Sequence, residues 1–567
     1  MSQPHWFGSI ARVPPATETP LKKFPRLPDF LTAGGITLAA VWFHIYFLHH
    51  AGGFWRDEVN LLNVATQHSP AEMTRDSFPL LMPLLVKSWA ALGLASADAN
   101  LRLLGAAIGL GGLAALWLAA WTARRAPPLL SLGLFALNST AITYGDELRA
   151  YGLGSLMIAL LFTAGIYFLK QPGWKRAGIF TLCAVLSVQA LFHNAVLVGA
   201  ICLGALAVCA RRKNFSAALK VFGAGLVAAF SLLPYLQNFI GGRAAVAVLR
   251  TGFSWPRFFH ELAAALGFPW EPFAFVWALL ALALFFFAAK VVFQKVPAEN
   301  PAEEISSADL RLLAGATLFA AVAGFLGFLW LTALPGQPWY FLPLMMLAVV
   351  CFDGVTATVA RGVKLFILTA AVVTFFLSLR VTQRDLNYRF TNLDGWAAAL
   401  TSEAAPDDFA VVTPWFTGIT FAHYFHGTMP WTTLPPLADH ATHRYDQVQA
   451  QMKTANAVAP VLEKISATLR AGHRVWFLCP PDFVPAALKI PTAPTDLPPP
   501  PLPQTGWLDE PYSATWTLQV IHFLAAHGKN FRQINPPDPG QRTGENSGLF
   551  VVAGWHETTN SISTDAK

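Results

Sequence analysis

The chain has 567 residues, of which 54% are hydrophobic and only 13% charged, and its mean hydropathy is +0.45. So few charges cannot solvate a water-soluble surface of this size, and the composition is that of a protein crossing a membrane many times. The formal charge of +7 does not point to a nucleic-acid partner, because Lys and Arg fall in short clusters between apolar runs, where they act as topology signals.

Residues 1–28 are polar and proline-rich, with Arg12, Lys22, Lys23 and Arg26. They read as a cytoplasmic N-terminal segment, too long and irregular for a cleaved signal peptide, so the first apolar run is expected to be retained. A transmembrane domain is expected over 29–382. Its apolar runs, each near the roughly 20 residues needed to cross a bilayer core, lie at 30–48, 101–122, 127–144, 151–169, 177–192, 195–210, 217–237, 272–293, 310–333, 339–353 and 363–379. The run 78–94 carries Pro79, Pro83 and Lys87, and it sets the parity of everything after it. If it lies in the interface and does not cross, one side receives the N-terminal basic residues, Arg124 with Arg125, Lys170 with Lys175 and Arg176, Arg211 to Lys213, Lys290 with Lys295 and Arg311, and Arg361 with Lys364. The positive-inside bias favours that arrangement, with about eleven spans and one interfacial helix.

The same parity places the first loop, 51–100, on the extracytoplasmic side, together with Tyr144 to Tyr151, His193 and Asn194, and everything after Arg380. Residues 383–556 have the composition of a soluble domain. Helical patterns at 393–404 and 458–470 and short apolar strands at 409–412, 475–478 and 549–552 predict a small α/β module. Pro491, Pro494 and Pro498 to Pro501 predict an extended loop, and 557–567 a disordered tail. Four of the five cysteines, Cys183, Cys202, Cys209 and Cys351, lie inside apolar runs, and no disulfide framework or CxxC metal site is present.

Two acidic groups stand out. Asp57 and Glu58 follow the first span within a few residues, beside Trp55 and Arg56, offering one carboxylate for catalysis and one for positioning; an ordinary polar loop is the other reading. Asp146, Glu147 and Arg149 sit on a very short connection between two spans, where an arginine suits bidentate contact with phosphate and a helix-end salt bridge is the alternative. Asp439, His440, His443 and Asp446 have a spacing open to a metal, but a surface loop with chance histidines fits as well, and no metal or other cofactor is assigned.

Taken in order, the acidic pair, Asp76 to Leu80 opening an apolar helix, Arg102-Leu103, and Glu147 to Leu153 resemble bacterial membrane glycosyltransferases of the GT-C fold. The similarity is to the subgroup containing protein O-mannosyltransferases and the aminoarabinose transferases of lipid A. The resemblance covers about 30–210, and the rest only in layout. It implies an inverting transfer of a sugar from a polyprenyl-phosphate donor to a lipid, glycan or protein acceptor outside the cytoplasm. By the same resemblance Asp57, with Glu58 beside it, would supply the general base, Arg149 and then Arg102 the phosphate contacts, and Asp146, Glu147, Tyr151 and His193 the positioning groups. Ser77-Phe78 and Trp339-Tyr340 stand where relatives often carry basic residues, so Lys87, Arg243 or Arg250 would substitute in holding the lipid phosphate. A transporter or lipid flippase, or a non-enzymatic anchor for an exported module, are the rival readings, but both acid groups lie at the ends of spans and not within them.

Overall fold

The computed structural model describes residues 27–76, 78–237, 253–293, 305–332, 336–356, 361–490, 508–535 and 542–557. The N-terminal basic residues, Ser77, Arg243, Arg250, Lys295, most of the proline-rich stretch and nearly all of the expected tail lie outside those residues.

Among the described residues, nine helical segments are long and apolar enough to cross a membrane: Leu27–His50, Asp98–Arg124, Ala150–Lys170, Asn194–Arg211, Phe215–Tyr235, Glu271–Val292, Ser307–Thr332, Pro338–Thr356 and Leu365–Leu386. Five helices converge near one end of the bundle: α1 (Leu27–His50), α2 (Arg56–Gln67), α3 (Leu81–Ala91), α4 (Asp98–Arg124) and α5 (Ala150–Lys170).

Two of the expected spans take other forms. The run 177–192 is the 17-residue helix Trp174–Ala190, packed against α5. The run 127–144 is broken into Leu129–Ser131, a π-helical turn Leu132–Ala136, and Ser139–Gly145. The break falls at Asn138, whose side chain accepts from Ala141 N at 3.1 Å and donates to Ala265 O at 2.9 Å. An asparagine that caps the next turn in this way competes with a continuous helix. The first part is itself capped from outside: the Asp353 carboxylate accepts from the amides of Leu130 and Ser131, both at 2.9 Å. That gives the buried Asp353 carboxylate a structural task.

The doubtful run 78–94 folds as α3, with 11 residues. At 1.5 Å per residue it reaches only about 16 Å, half of a hydrocarbon core. It packs on α2 and α4.

The helix Arg361–Leu386 leads directly into the C-terminal module. The strands are β1 (Tyr388–Thr391), β2 (Phe409–Val412), β3 (Trp431–Thr433), β4 (Val475–Cys479), β5 (Gly528–Ile534), β6 (Arg542–Glu545) and β7 (Gly548–Trp555). A five-stranded sheet runs in the order β3-β2-β4-β7-β5, parallel from β3 to β4 and antiparallel through β7 and β5. β1 and β6 form a separate parallel pair. β2 and β4 are buried along their whole length, as expected for strands covered on both faces. The helices Ala459–Arg470 and Glu510–His527 pack on one side, and Leu393–Glu403 with Thr417–Tyr424 on the other.

The module is seated on the turn between α1 and α2. Phe390 N donates to Ala51 O at 3.0 Å, and the Phe390 ring stacks on Trp55 with centroids 5.9 Å apart. This approach requires glycine: Gly52 has φ +69°, and a Cβ on Gly53 would run into Asp394 and the Tyr424 hydroxyl. Arg124, Arg211 and Arg212 sit at the opposite ends of their helices from this face.

Candidate functional site

The site forms where the start of α2, the start of α4 and the connection between Ser139–Gly145 and α5 converge. Asp57 and Glu58 lie in the first turn of α2, where carboxylates complement the exposed amides and dipole of a helix N-terminus. Their side chains diverge. Glu58 is fully buried, with Oε1 taking a short bond from Arg102 Nη1 at 2.5 Å and the amide of Leu148 at 2.7 Å. Arg102 Nη2 also donates to Gly53 O at 2.9 Å, and its guanidinium lies over the Phe54 ring. Burial pushes the Glu58 carboxyl up, and Arg102 opposes it. Glu58 and Arg102 together tie α2, α4 and the 146–149 connection into one block.

Asp57 points the other way and is partly open, with 19% of its side chain exposed. Its Oδ2 lies 3.1 Å from Arg149 Nη2, and its Oδ1 lies 3.0 Å from Nε2 of His443. Burial works against ionisation here, but Arg149, the His443 hydrogen bond and Arg56 outweigh it and hold the carboxyl well below the usual range.

Arg149 is boxed by aromatic rings, with its guanidinium carbon 4.8 Å from the Tyr151 centroid, 5.2 Å from Trp55, 5.5 Å from Trp339 and 5.8 Å from Phe78. Its Nη1 reaches Glu147 Oε1 only at 3.4 Å, and its buried Nε has no partner. Glu147 is itself buried with Oε2 unpartnered; burial pushes its carboxyl well above the ordinary range, Arg149 pulling it back and Glu58 and Asp57 adding to the rise.

The other expected residues fall around this centre in different ways. Tyr151 stacks on both His193 and Tyr340. His193 sits behind it among Phe325 and Phe328, with Nε2 buried and unpartnered, and burial pushes the imidazole down to about 3, so the ring is neutral. Asp146 turns away from the cluster and pairs with His44 of α1 at 2.7 Å. Lys87 donates to the His68 carbonyl beyond the end of α2, at 3.0 Å, and among the described residues no hydrogen bond or ion pair joins it to the Asp57 cluster.

The four residues with metal-like spacing diverge. Asp439 and Asp446 share Arg444 at 2.8 and 2.7 Å, His440 packs on Trp431, and His443 goes to Asp57. The sequence picked out His443 only for that spacing, so its place beside Asp57 is new. Arg56 is also new: it binds Glu545 Oε1 at 2.9 Å, while Thr420 donates to Oε2 at 2.8 Å. Burial pushes Glu545 up against the pull of Arg56. Trp339 and Tyr340, noted in the sequence as a departure from a basic pattern, form one wall around Arg149 and Tyr151.

Chemically, the arrangement offers one accessible carboxylate, one buried arginine with spare donors directed among aromatic faces, and a rigid ion pair beneath them. A guanidinium has five N–H donors in a fork that matches phosphate. Arg149 uses only part of that capacity on Asp57 and Glu147.

No family model matches the sequence, and no curated protein matches it. Solved structures similar in overall arrangement include two of one protein. ArnT from Cupriavidus metallidurans bound to undecaprenyl phosphate is 10% identical with a TM-score of 0.48, over 82% of this chain and 95% of that one. The same protein in the apo state is 11% identical with a TM-score of 0.47, over 81% and 95%.

Proposed function

We propose that this protein is an inverting membrane glycosyltransferase that moves a sugar from a polyprenyl-phosphate donor to an acceptor on the extracytoplasmic side. The observation that carries the reading is Arg149: a buried guanidinium with an unpartnered Nε, walled by rings, and held 3.1 Å from a partly open carboxylate. In so dry a setting a charge-assisted contact to phosphate is far stronger than in water.

The chemistry follows from the two groups. Asp57 takes the proton of the acceptor hydroxyl as its oxygen bonds to the anomeric carbon. The bond from that carbon to the phosphate oxygen breaks on the opposite face, its electron pair leaves with the phosphate, and the configuration inverts. The leaving group is already a phosphate, so its growing charge needs a cation more than an acid, and Arg149 supplies it. While Arg149 rests on Asp57 the carboxylate is a weak base. A donor phosphate competing for the guanidinium draws it off Asp57 and restores that basicity, so donor binding primes the proton transfer. Glu58 and Arg102 hold α2 in register, Glu147 and Tyr151 hold Arg149, and His193 backs Tyr151.

Sidedness is supported by the opposition of two ends. The site and the C-terminal module share one face, and the basic residues at the far helix ends mark the cytoplasm by the positive-inside bias. The test is a comparison of lipid-linked and surface glycans in cells with and without the gene. Loss of one sugar from an envelope glycan, with its polyprenyl-phosphate precursor accumulating, is the expected outcome; identical glycans and precursor pools would reject the reading.

A further inference from the structure

The membrane helices do not complete the surroundings of Asp57 by themselves. Oδ1 is met by Nε2 of His443, which lies 386 positions along the chain in the segment ahead of the helix Tyr445–Met452. Three contacts seat that part of the module on α2. His443 N donates to Asn60 Oδ1 at 3.0 Å, Asn63 Nδ2 donates to Ala441 O at 2.8 Å, and Arg56 holds Glu545. The imidazole stacks on Tyr445, with centroids 5.4 Å apart and planes 11° from parallel, and meets Trp415 edge-on at 6.0 Å. Its Nδ1 is buried without a partner, so the tautomer carrying hydrogen on Nε2 satisfies Asp57 and asks for no second acceptor.

We propose that His443 is a positioning residue for Asp57, supplied by the C-terminal module, so that the transfer site is complete only when the module is docked on α2. This rests on the glycosyl-transfer reading above. With Oδ1 fixed by the imidazole, Oδ2 is the oxygen left to receive the acceptor's proton once Arg149 has turned to the donor phosphate. The groups that bear on Asp57 besides His443 are Arg149 and Glu147 from the 146–149 connection, Arg56 on its own helix, Tyr151 on α5, Tyr340, and Tyr445 from the module.

Membranes from cells lacking the gene supply native donor and acceptor, purified full-length protein is added, and modified acceptor is quantified by mass. His443→Ala is expected to lower kcat roughly ten- to hundredfold, the rate equivalent of one hydrogen bond to a charged group, with the donor KM nearly unchanged. The acid limb of its kcat profile should move to higher pH, because the carboxylate has lost a donor that favoured its charged form. His443→Gln, whose amide can still donate, should recover part of the rate and of the shift, which a merely structural role would not do. Wild-type kcat with an unmoved acid limb in His443→Ala, while Asp57→Asn is inactive, would overturn the proposal alone. Wild-type turnover by Asp57→Asn would overturn the underlying reading and this proposal with it. If His443→Ala does not fold, Asn60→Ala loosens the same segment without touching the ring. It should shift the limb in the same direction by less, and an unmoved limb there counts against the proposal.

Discussion

Successive side chains on a helix point about 100° apart, and at the start of α2 that angle divides two adjacent carboxylates between two tasks. Asp57 faces Arg149 and the open side, whereas Glu58 faces Arg102 and the protein interior. Removing one member of a buried pair strands the other charge, which costs about 3 to 5 kcal/mol. Arg102→Ala should therefore lower the thermal unfolding temperature in detergent sharply, and a stability equal to wild type would show that Glu58 does not depend on it. Arg149 should behave differently. Arg149→Lys keeps the charge and loses the fork, so it should restore only part of the donor affinity lost in Arg149→Ala, as read by binding of a polyprenyl phosphate; full restoration would argue against bidentate phosphate contact. The pH dependence of stability follows from the depressed Asp57 carboxyl. Its contribution is fully present above the unfolded carboxylate value of about 4 and is lost only as pH falls through the lower folded value. The difference in unfolding temperature between wild type and Asp57→Asn should thus stay constant from about pH 5 to 8 and shrink only in stronger acid. A difference that stayed unchanged even in strong acid, well below the unfolded carboxylate value, would mean the carboxyl is not depressed.

At the level of elements, α3 with its 11 residues is too short to cross, which favours the parity expected from the basic clusters. A reporter enzyme fused after Gln383 is expected to be active only outside the cytoplasm, and activity inside would reverse the parity. The long apolar runs were legible because a span must satisfy its own backbone and repel no lipid, which leaves a strong mark on composition. The break at Asn138 was not, because hydropathy averages over one polar residue, and the capping bond to Ala141 depends on local geometry. In the module, β2, β4 and β7 were legible as apolar runs, whereas β5 and β6 were not. β5, with the sequence GKNFRQI, is at the sheet edge and largely exposed, so it carries no apolar signature.

For the whole molecule, the placement of Asp57 and Arg149 on one face was legible because each sits within a few residues of a span, where short connections fix their height. The pairing of Asp57 with His443 was not, because it joins positions 386 apart and depends on how the module docks. The docked module thus brings a direct hydrogen bond to the Asp57 carboxylate. The central claim is that Asp57 removes the acceptor's proton. Its most direct test is turnover of purified Asp57→Asn, which keeps the shape and removes the base, alongside its affinity for the polyprenyl-phosphate donor. General base catalysis is worth about 10² to 10⁴ in rate, so turnover should fall by that order while the donor binds at least as tightly as in wild type, because the Asp57 charge no longer competes for Arg149. Turnover at the wild-type rate would contradict the account.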